Sequence, residues 1–248
     1  MQRVIEAKHQ IWYNEEMNSK HFKEGIRDGI PIGLGYFAVS FTFGMMAVAG
    51  NMSIVHAVLI SLTNLTSAGQ FAGLDIIFSN GSYLEMALTQ LIINLRYCLM
   101  SFSLAQKLDD GGNILHRFFV AFGVTDEIFG ISAAKPERVS PFYNYGAMSV
   151  AIPGWTLGTL CGAISGNLLP PSIMSALSVS IYGMFLAIII PPAKTNRSVL
   201  AVVLAAMAGS SLFYYLPALA SVSPGMVIII VTVLVAGAAA WLAPVSDG

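Results

Sequence analysis

The chain has 248 residues, of which 56% are hydrophobic and 10% charged, with a formal net charge of -1. Soluble domains carry roughly 25% charged residues, so this composition excludes an ordinary soluble protein. The near-neutral charge, with no basic run, also excludes the electrostatic footprint of a nucleic-acid binder.

The first 25 residues stand apart. Arg3, Lys8, Lys20 and Lys23 are mixed with Glu6, Glu15, Glu16 and Glu24, and no apolar core of signal-peptide length is present. Residues 1–25 are expected to form a polar cytoplasmic tail, either disordered or an interfacial helix with Val4, Ile11, Trp12 and Phe22 along one side. Residues 26–248 are expected to form one membrane domain. Its apolar segments fall at about 29–50, 53–79, 82–105, 118–134, 142–165, 173–191, 198–216 and 224–243. Runs near 20 residues match the length of helix that crosses a hydrocarbon core about 30 Å thick. They predict an all-α polytopic bundle of seven or eight segments, since continuous runs such as Val227–Ala240 do not alternate as spanning strands would.

Basic residues constrain the topology. Five precede the first segment, Lys107 and Arg117 follow the third, Lys135 and Arg138 follow the fourth, and Lys194 and Arg197 follow the sixth. With eight full crossings and a cytoplasmic N-terminus, only Lys107 and Arg117 fall outside. If segments two and four are broken or re-entrant and return to their starting side, every basic loop is cytoplasmic, which fits the positive-inside rule better.

Segments two and four also differ chemically from ordinary spans. The second holds Asn64, Thr66, Ser67, Gly69 and Gln70, and the short fourth holds Thr125, Asp126 and Glu127. Polar interruptions at membrane depth survive where backbone lines a cavity or is buried in protein, and they point to a transporter's binding site. The alternative for Asp126 and Glu127 is an aqueous loop between two short helices. The third segment carries Asn94 and, near its centre, Arg96. A cation there costs roughly 2.5–3.5 kcal/mol on insertion scales, so Arg96 is expected to be functional, with a helix-tying arginine as the alternative. In the fifth segment Gly154, Gly158, Gly162 and Gly166 recur every fourth residue. That spacing serves close helix packing or a docking face for a second subunit. Cys98 and Cys161 lie within apolar segments and are expected to be packing residues. No HExxH or GxSxG motif occurs, and the PAL string at Leu216–Leu219 lacks a GxGD partner. Neither an enzyme, a metal site nor a cofactor is expected.

The ordered pieces FKEGIRDGIPIGLGY (Phe22–Tyr36), FG (Phe43, Gly44), SAGQF (Ser67–Phe71), NLRY (Asn94–Tyr97) and TDEIF (Thr125–Phe129) resemble the signatures of AzlC-type branched-chain amino acid permeases. The resemblance spans nearly the whole chain. It implies an inner-membrane exporter of leucine, isoleucine and valine that works with a small separate membrane subunit of the AzlD type. Three positions depart from the family pattern: Ser67 replaces a glycine, Tyr97 a histidine and Ala38 a proline.

A zwitterionic substrate needs a cation or helix N-terminus for its carboxylate and an acceptor for its ammonium. Arg96 can fork onto a carboxylate, and Gln70, Asn94, Asn64 and Ser67 can donate and accept. Asp126 or Glu127 can take the ammonium or a coupling proton. A channel for small solutes or ions and a non-transporting assembly subunit are the competing readings.

Overall fold

The computed structural model describes residues 2–109, 113–166, 186, 189–191, 193–219 and 221–242. The sixth apolar segment, expected at 173–191, lies largely outside them. Among the described residues the chain is all-α, the one extended pairing being an isolated bridge between Leu108 and Val139. Five helices are long and apolar enough to cross a membrane.

Helix α1 (Gln2–Ala49) joins the polar N-terminal residues and the first span without a break at residue 25, and it runs on through Pro31. Its apolar part, Glu16–Ala49, has 34 residues, about 51 Å of helix, so it projects beyond a 30 Å core. We call the face at its N-terminal end proximal and the other distal.

Segment two is a pair of half-helices, α2 (Ile54–Thr63) and α3 (Ser67–Phe78). At about 15 and 18 Å, neither crosses alone. Together they form a re-entrant hairpin. Met52 bonds back to Ala47 at the distal turn, Phe71 packs edge-on against Phe43, Leu74 clusters with Ala47 and Ala57, and the ring of Phe78 covers Gly50. The end of α3 is therefore back beside the end of α1. Asn51 and Asn80 stop α1 and α3 with positive φ of 66° and 54°, a conformation asparagine tolerates.

Helix α4 (Tyr83–Lys107) then crosses to the proximal face, where α5 (Ile114–Phe122) and α6 (Asp126–Ala133) make a second re-entrant hairpin. Its return is fixed by Lys107, whose ammonium takes the carbonyls of Ala133 at 2.5 Å and Lys135. This hairpin starts at Ile114, four residues before the expected boundary, because His116 finds a partner in the Tyr145 hydroxyl at 2.8 Å. Helix α7 (Pro141–Ser165) crosses back to the distal face. Beyond residue 196, α8 (Arg197–Tyr215) and α9 (Pro224–Leu242) form an antiparallel pair, with Val231 against Gly209, and α9 leans on α3 and α4.

The frame of the molecule is the parallel pair α1 and α7, its most extensive helix contact. Every glycine of the expected stripe faces α1: Gly154 meets Gly33, Gly158 meets Phe37 and Ser40, Gly162 meets Phe41 and Gly166 meets Met45. From the other side Gly25 abuts the Tyr143 carbonyl and Gly44 that of Thr159. Backbone meets backbone along the whole seam, which in lipid supplies the dispersion that hydrophobicity cannot. We expect Gly162→Val to fall at the upper end of the ~1–3 kcal/mol cost of overpacking and to lower the thermal midpoint of the solubilised protein. Gly35→Ala, where a Cβ meets nothing within 4 Å, should leave that midpoint unchanged or slightly raised.

Candidate functional site

Two threonines organise the centre of the bilayer. Thr66 and Thr125, both in extended conformation, cap α3 and α6, and each hydroxyl accepts the backbone N–H three residues on, from Gly69 and Ile128 at 3.3 Å. Capping satisfies one orphan donor and leaves the positive end of each helix in place. The hairpins enter from opposite faces, so two positive helix ends meet at mid-depth.

Each tip is tied to the surrounding spans. On the distal hairpin, Thr66 Oγ1 donates to Asn94 Oδ1 (2.6 Å), Asn94 Nδ2 to Gln90 Oε1 (3.0 Å) and Gln90 Nε2 to the Gly69 carbonyl (2.7 Å). On the proximal hairpin, the Tyr36 hydroxyl sits between Thr125 Oγ1 (2.6 Å) and the Glu127 carboxylate. Tyr36 stacks edge-to-face on Trp155, ring centroids 5.3 Å apart, and Trp155 Nε1 donates to Gln70 Oε1 (2.7 Å). Gln70 Nε2 donates in turn to Ser61 Oγ (3.1 Å), itself 2.7 Å from Thr159 Oγ1.

Arg96 is the charge at this junction. Its Nη1 lies 2.7 Å from Asp126 Oδ2, its Cζ stands 5.0 Å from the Tyr97 ring centroid, and its buried Nε has no partner. The two paired side chains are 38% and 29% exposed. An unpaired charge at this depth is costly, and the pairing of Arg96 with Asp126 offsets that cost.

The residues expected from sequence are thus distributed. Arg96, Asn94, Asp126 and Glu127 gather around the two tips. Asn64 ends α2, its Oδ1 3.4 Å from the Thr66 amide, and Ser67 opens α3. Gln70 is buried, with both ends of its amide engaged by Ser61 and Trp155. Asp126 and Glu127 begin a helix instead of occupying an aqueous loop, and they point to different partners, Arg96 and Tyr36. Tyr36, Gln90 and Trp155 were not singled out in the sequence, where each reads as one residue of an apolar run. Among the described residues no three His, Cys, Asp or Glu side chains converge as a metal site would require.

A second polar cluster lies toward the proximal face. Lys135, just after α6, pairs with Glu24 (2.6 Å) and Asp28 (3.1 Å) of α1 and stands 4.5 Å above the Tyr143 ring, while the Tyr143 hydroxyl donates to Asp28 (2.9 Å). Burial works against the ammonium, but hydrogen bonds to the two carboxylates prevail and hold Lys135 above the ordinary lysine range.

The network makes Gln70 a test of scaffold against solute contact. Gln70→Leu strands the Trp155 N–H and leaves Ser61 with Thr159 alone, a cost of about 1–3 kcal/mol, and should lower the thermal midpoint. An unchanged midpoint would show that the amide is not part of the scaffold.

Residues 31–169 match the family described as AzlC protein. The chain is 35% identical over 178 residues to an uncharacterized membrane protein of Archaeoglobus fulgidus, covering 71% of this chain and 78% of the relative. It is 29% identical over 204 residues, 79% and 83% of the two chains, to Inner membrane protein YgaZ of Escherichia coli. An uncharacterized membrane protein of Helicobacter pylori is 28% identical over 152 residues, 60% and 65% of the two. No solved structure matches the chain significantly.

Proposed function

The chain belongs to the AzlC family, and from that premise we propose that it is a carrier exporting neutral amino acids, branched-chain ones above all, across the bacterial inner membrane. It works with a small AzlD-type membrane subunit and draws on the proton gradient. The observation that carries this reading is the Arg96–Asp126 pair, part exposed, between two opposed helix N-termini.

That pair favours a zwitterion over an ion. A substrate carboxylate that takes the Arg96 guanidinium releases Asp126, and the substrate's own ammonium re-pairs it. One ion pair becomes two and no buried charge is left alone. An anion would leave Asp126 unpaired at membrane depth and a cation would do the same to Arg96, each a costly state. The planar guanidinium of Arg96 can make a two-point fork on the incoming carboxylate. Asn94 orients the tip beside it through Thr66.

The two acids then divide their roles. Asp126, held at 2.7 Å by Arg96, serves the ammonium. Glu127, which meets the neutral Tyr36 hydroxyl, is the member that carries the coupling proton. Orientation follows from charge. Apart from Arg96, the described basic side chains from Lys20 and Lys23 through Lys107, Lys135 and Arg138 to Arg197 lie at the proximal face or the helix ends that reach it. The positive-inside rule makes that face cytoplasmic.

Reconstitution with and without the small subunit, measuring leucine counterflow, tests the reading. Saturable counterflow is expected. Conductance without counterflow would mark a channel, and no flux in either preparation would mark an assembly subunit. Arg96→Lys, which loses the fork, should reduce counterflow about tenfold or more at equal protein level. Glu127→Gln should keep counterflow while abolishing uphill accumulation; if that variant still pumps uphill, Glu127 carries no proton.

A further inference from the structure

The two hairpins are halves of one pattern. Each begins with a span, α1 or α4, followed by a pair of half-helices and the start of the next span. The caps Ser53, Thr66 and Ser82 of α2, α3 and α4 recur in order as Asn113, Thr125 and Ser140 of α5, α6 and α7. The spans share a string, Tyr-x-x-x-Ser-Phe, at Tyr36–Phe41 of α1 and Tyr97–Phe102 of α4. α1 and α4 run in opposite directions, so the halves are inverted. Their contacts also cross between the halves: Tyr36 of the first half meets Thr125 of the second, and Asn94 of the second, three residues before Tyr97, meets Thr66 of the first. Mutual contacts of each half with the other's hairpin cap are what a two-fold axis in the membrane plane produces.

The symmetry breaks at the outer ends. Glu24 and Asp28 precede Tyr36 by the same spacing at which Glu85 and Thr89 precede Tyr97. At the proximal face, Glu24 and Asp28 hold Lys135 and so bind the α5–α6 hairpin to α1 and, through Tyr143, to α7. At the distal face Glu85 takes the Ser223 hydroxyl at the start of α9, and the Thr89 hydroxyl is buried without a partner. Among the described residues no lysine answers Lys135 there. On the proximal side Ser132 Oγ donates to Asn144 Oδ1 (3.0 Å), while the Asn144 amide nitrogen is fully buried with no partner. A shallow vestibule of about 160 Å³ ends at Lys135, lined also by His21, Glu24, Arg138 and Tyr143.

We infer that the inverted halves exchange environments during transport and that Lys135 is the gate residue of the proximal face, holding the α5–α6 hairpin shut through Glu24 and Asp28. The inference rests on the carrier reading of the central site and adds its regulation. When the ion pairs part, the hairpin can leave α1, and the polar surface of Ser132 and Asn144, buried in the closed state, meets water. Burial of an unpaired amide disfavours the closed state, so the ion pairs are what offsets it.

The test uses the full chain with Cys98→Ala and Cys161→Ala and a reporter thiol from Ser132→Cys, in membranes permeable to a polar maleimide on both faces and without substrate. The reporter should react slowly. Adding Lys135→Met should raise its rate about tenfold, and Lys135→Arg should return it to the slow rate. An unchanged rate with Lys135→Met overturns the gate, as does an equal rise at a control thiol from Ser61→Cys, which is fully buried at the other hairpin. If Lys135→Met does not accumulate, the pair Glu24→Cys and Lys135→Cys serves instead. Its oxidation should stop leucine counterflow and its reduction restore it, and counterflow through the oxidised form overturns the gate. Absent counterflow in the unmodified chain, with the labelling response intact, would count against the carrier reading alone.

Discussion

A helix that stops in the middle of a membrane must have its first N–H groups satisfied there, and this constraint governs the rest of the molecule. No water is available in lipid to do it. Thr66 and Thr125 supply the first partner of each half-helix, and the network around them follows: a capping hydroxyl has its own proton to place, Asn94 and Tyr36 receive or meet it, and their amide and phenol call for Gln90 and Glu127. The polar centre is therefore a chain of obligations that begins with two broken helices. Arg96 can be tolerated because Asp126 starts one of them.

The seam between α1 and α7 gives that centre something rigid to be measured against. Two parallel spans locked backbone to backbone fix where Tyr36 and Trp155 stand, and these two aromatics touch both hairpins at once. The hairpins pack against the seam along α2, which lies on α7 with Ser61 bonded to Thr159, and through Ile128 of α6, which is buried among Tyr36, Ala147 and Trp155. The frame meets itself backbone to backbone, while the hairpins meet it through side chains.

Much of this was legible in the sequence. Apolar run lengths placed α4, α7, α8 and α9 to within a few residues but missed the start of α1, whose helix continues back through the polar residues. The polar insertions at Asn64–Gln70 and Thr125–Glu127 marked where helices break, because hydropathy and glycine report directly on what lipid permits. The distribution of lysine and arginine left a choice between crossing and re-entrant segments, and the contact of Phe78 with Gly50 decides it. What could not be read was partnership. Gln70 looks like a solute ligand until Trp155 is placed against it, and the stripe from Gly154 reads as a packing surface without saying which helix it packs on until α1 covers it. Both depend on residues distant in sequence. The twofold Tyr-x-x-x-Ser-Phe was a readable signal for Tyr36 that hydropathy alone passes over.

The bond from Trp155 to Gln70 spans 85 residues of chain. During synthesis at about 5–20 residues per second, the tip of the first hairpin therefore exists for roughly 4–17 s before the side chain that completes it has been made. A polar turn cannot wait in lipid for that time without a partner. Until α7 arrives beside α1, the Gln70 side-chain carbonyl oxygen lacks the indole N–H that satisfies it in the finished protein, and the tip depends on Ser61, Asn94 and Gln90 alone.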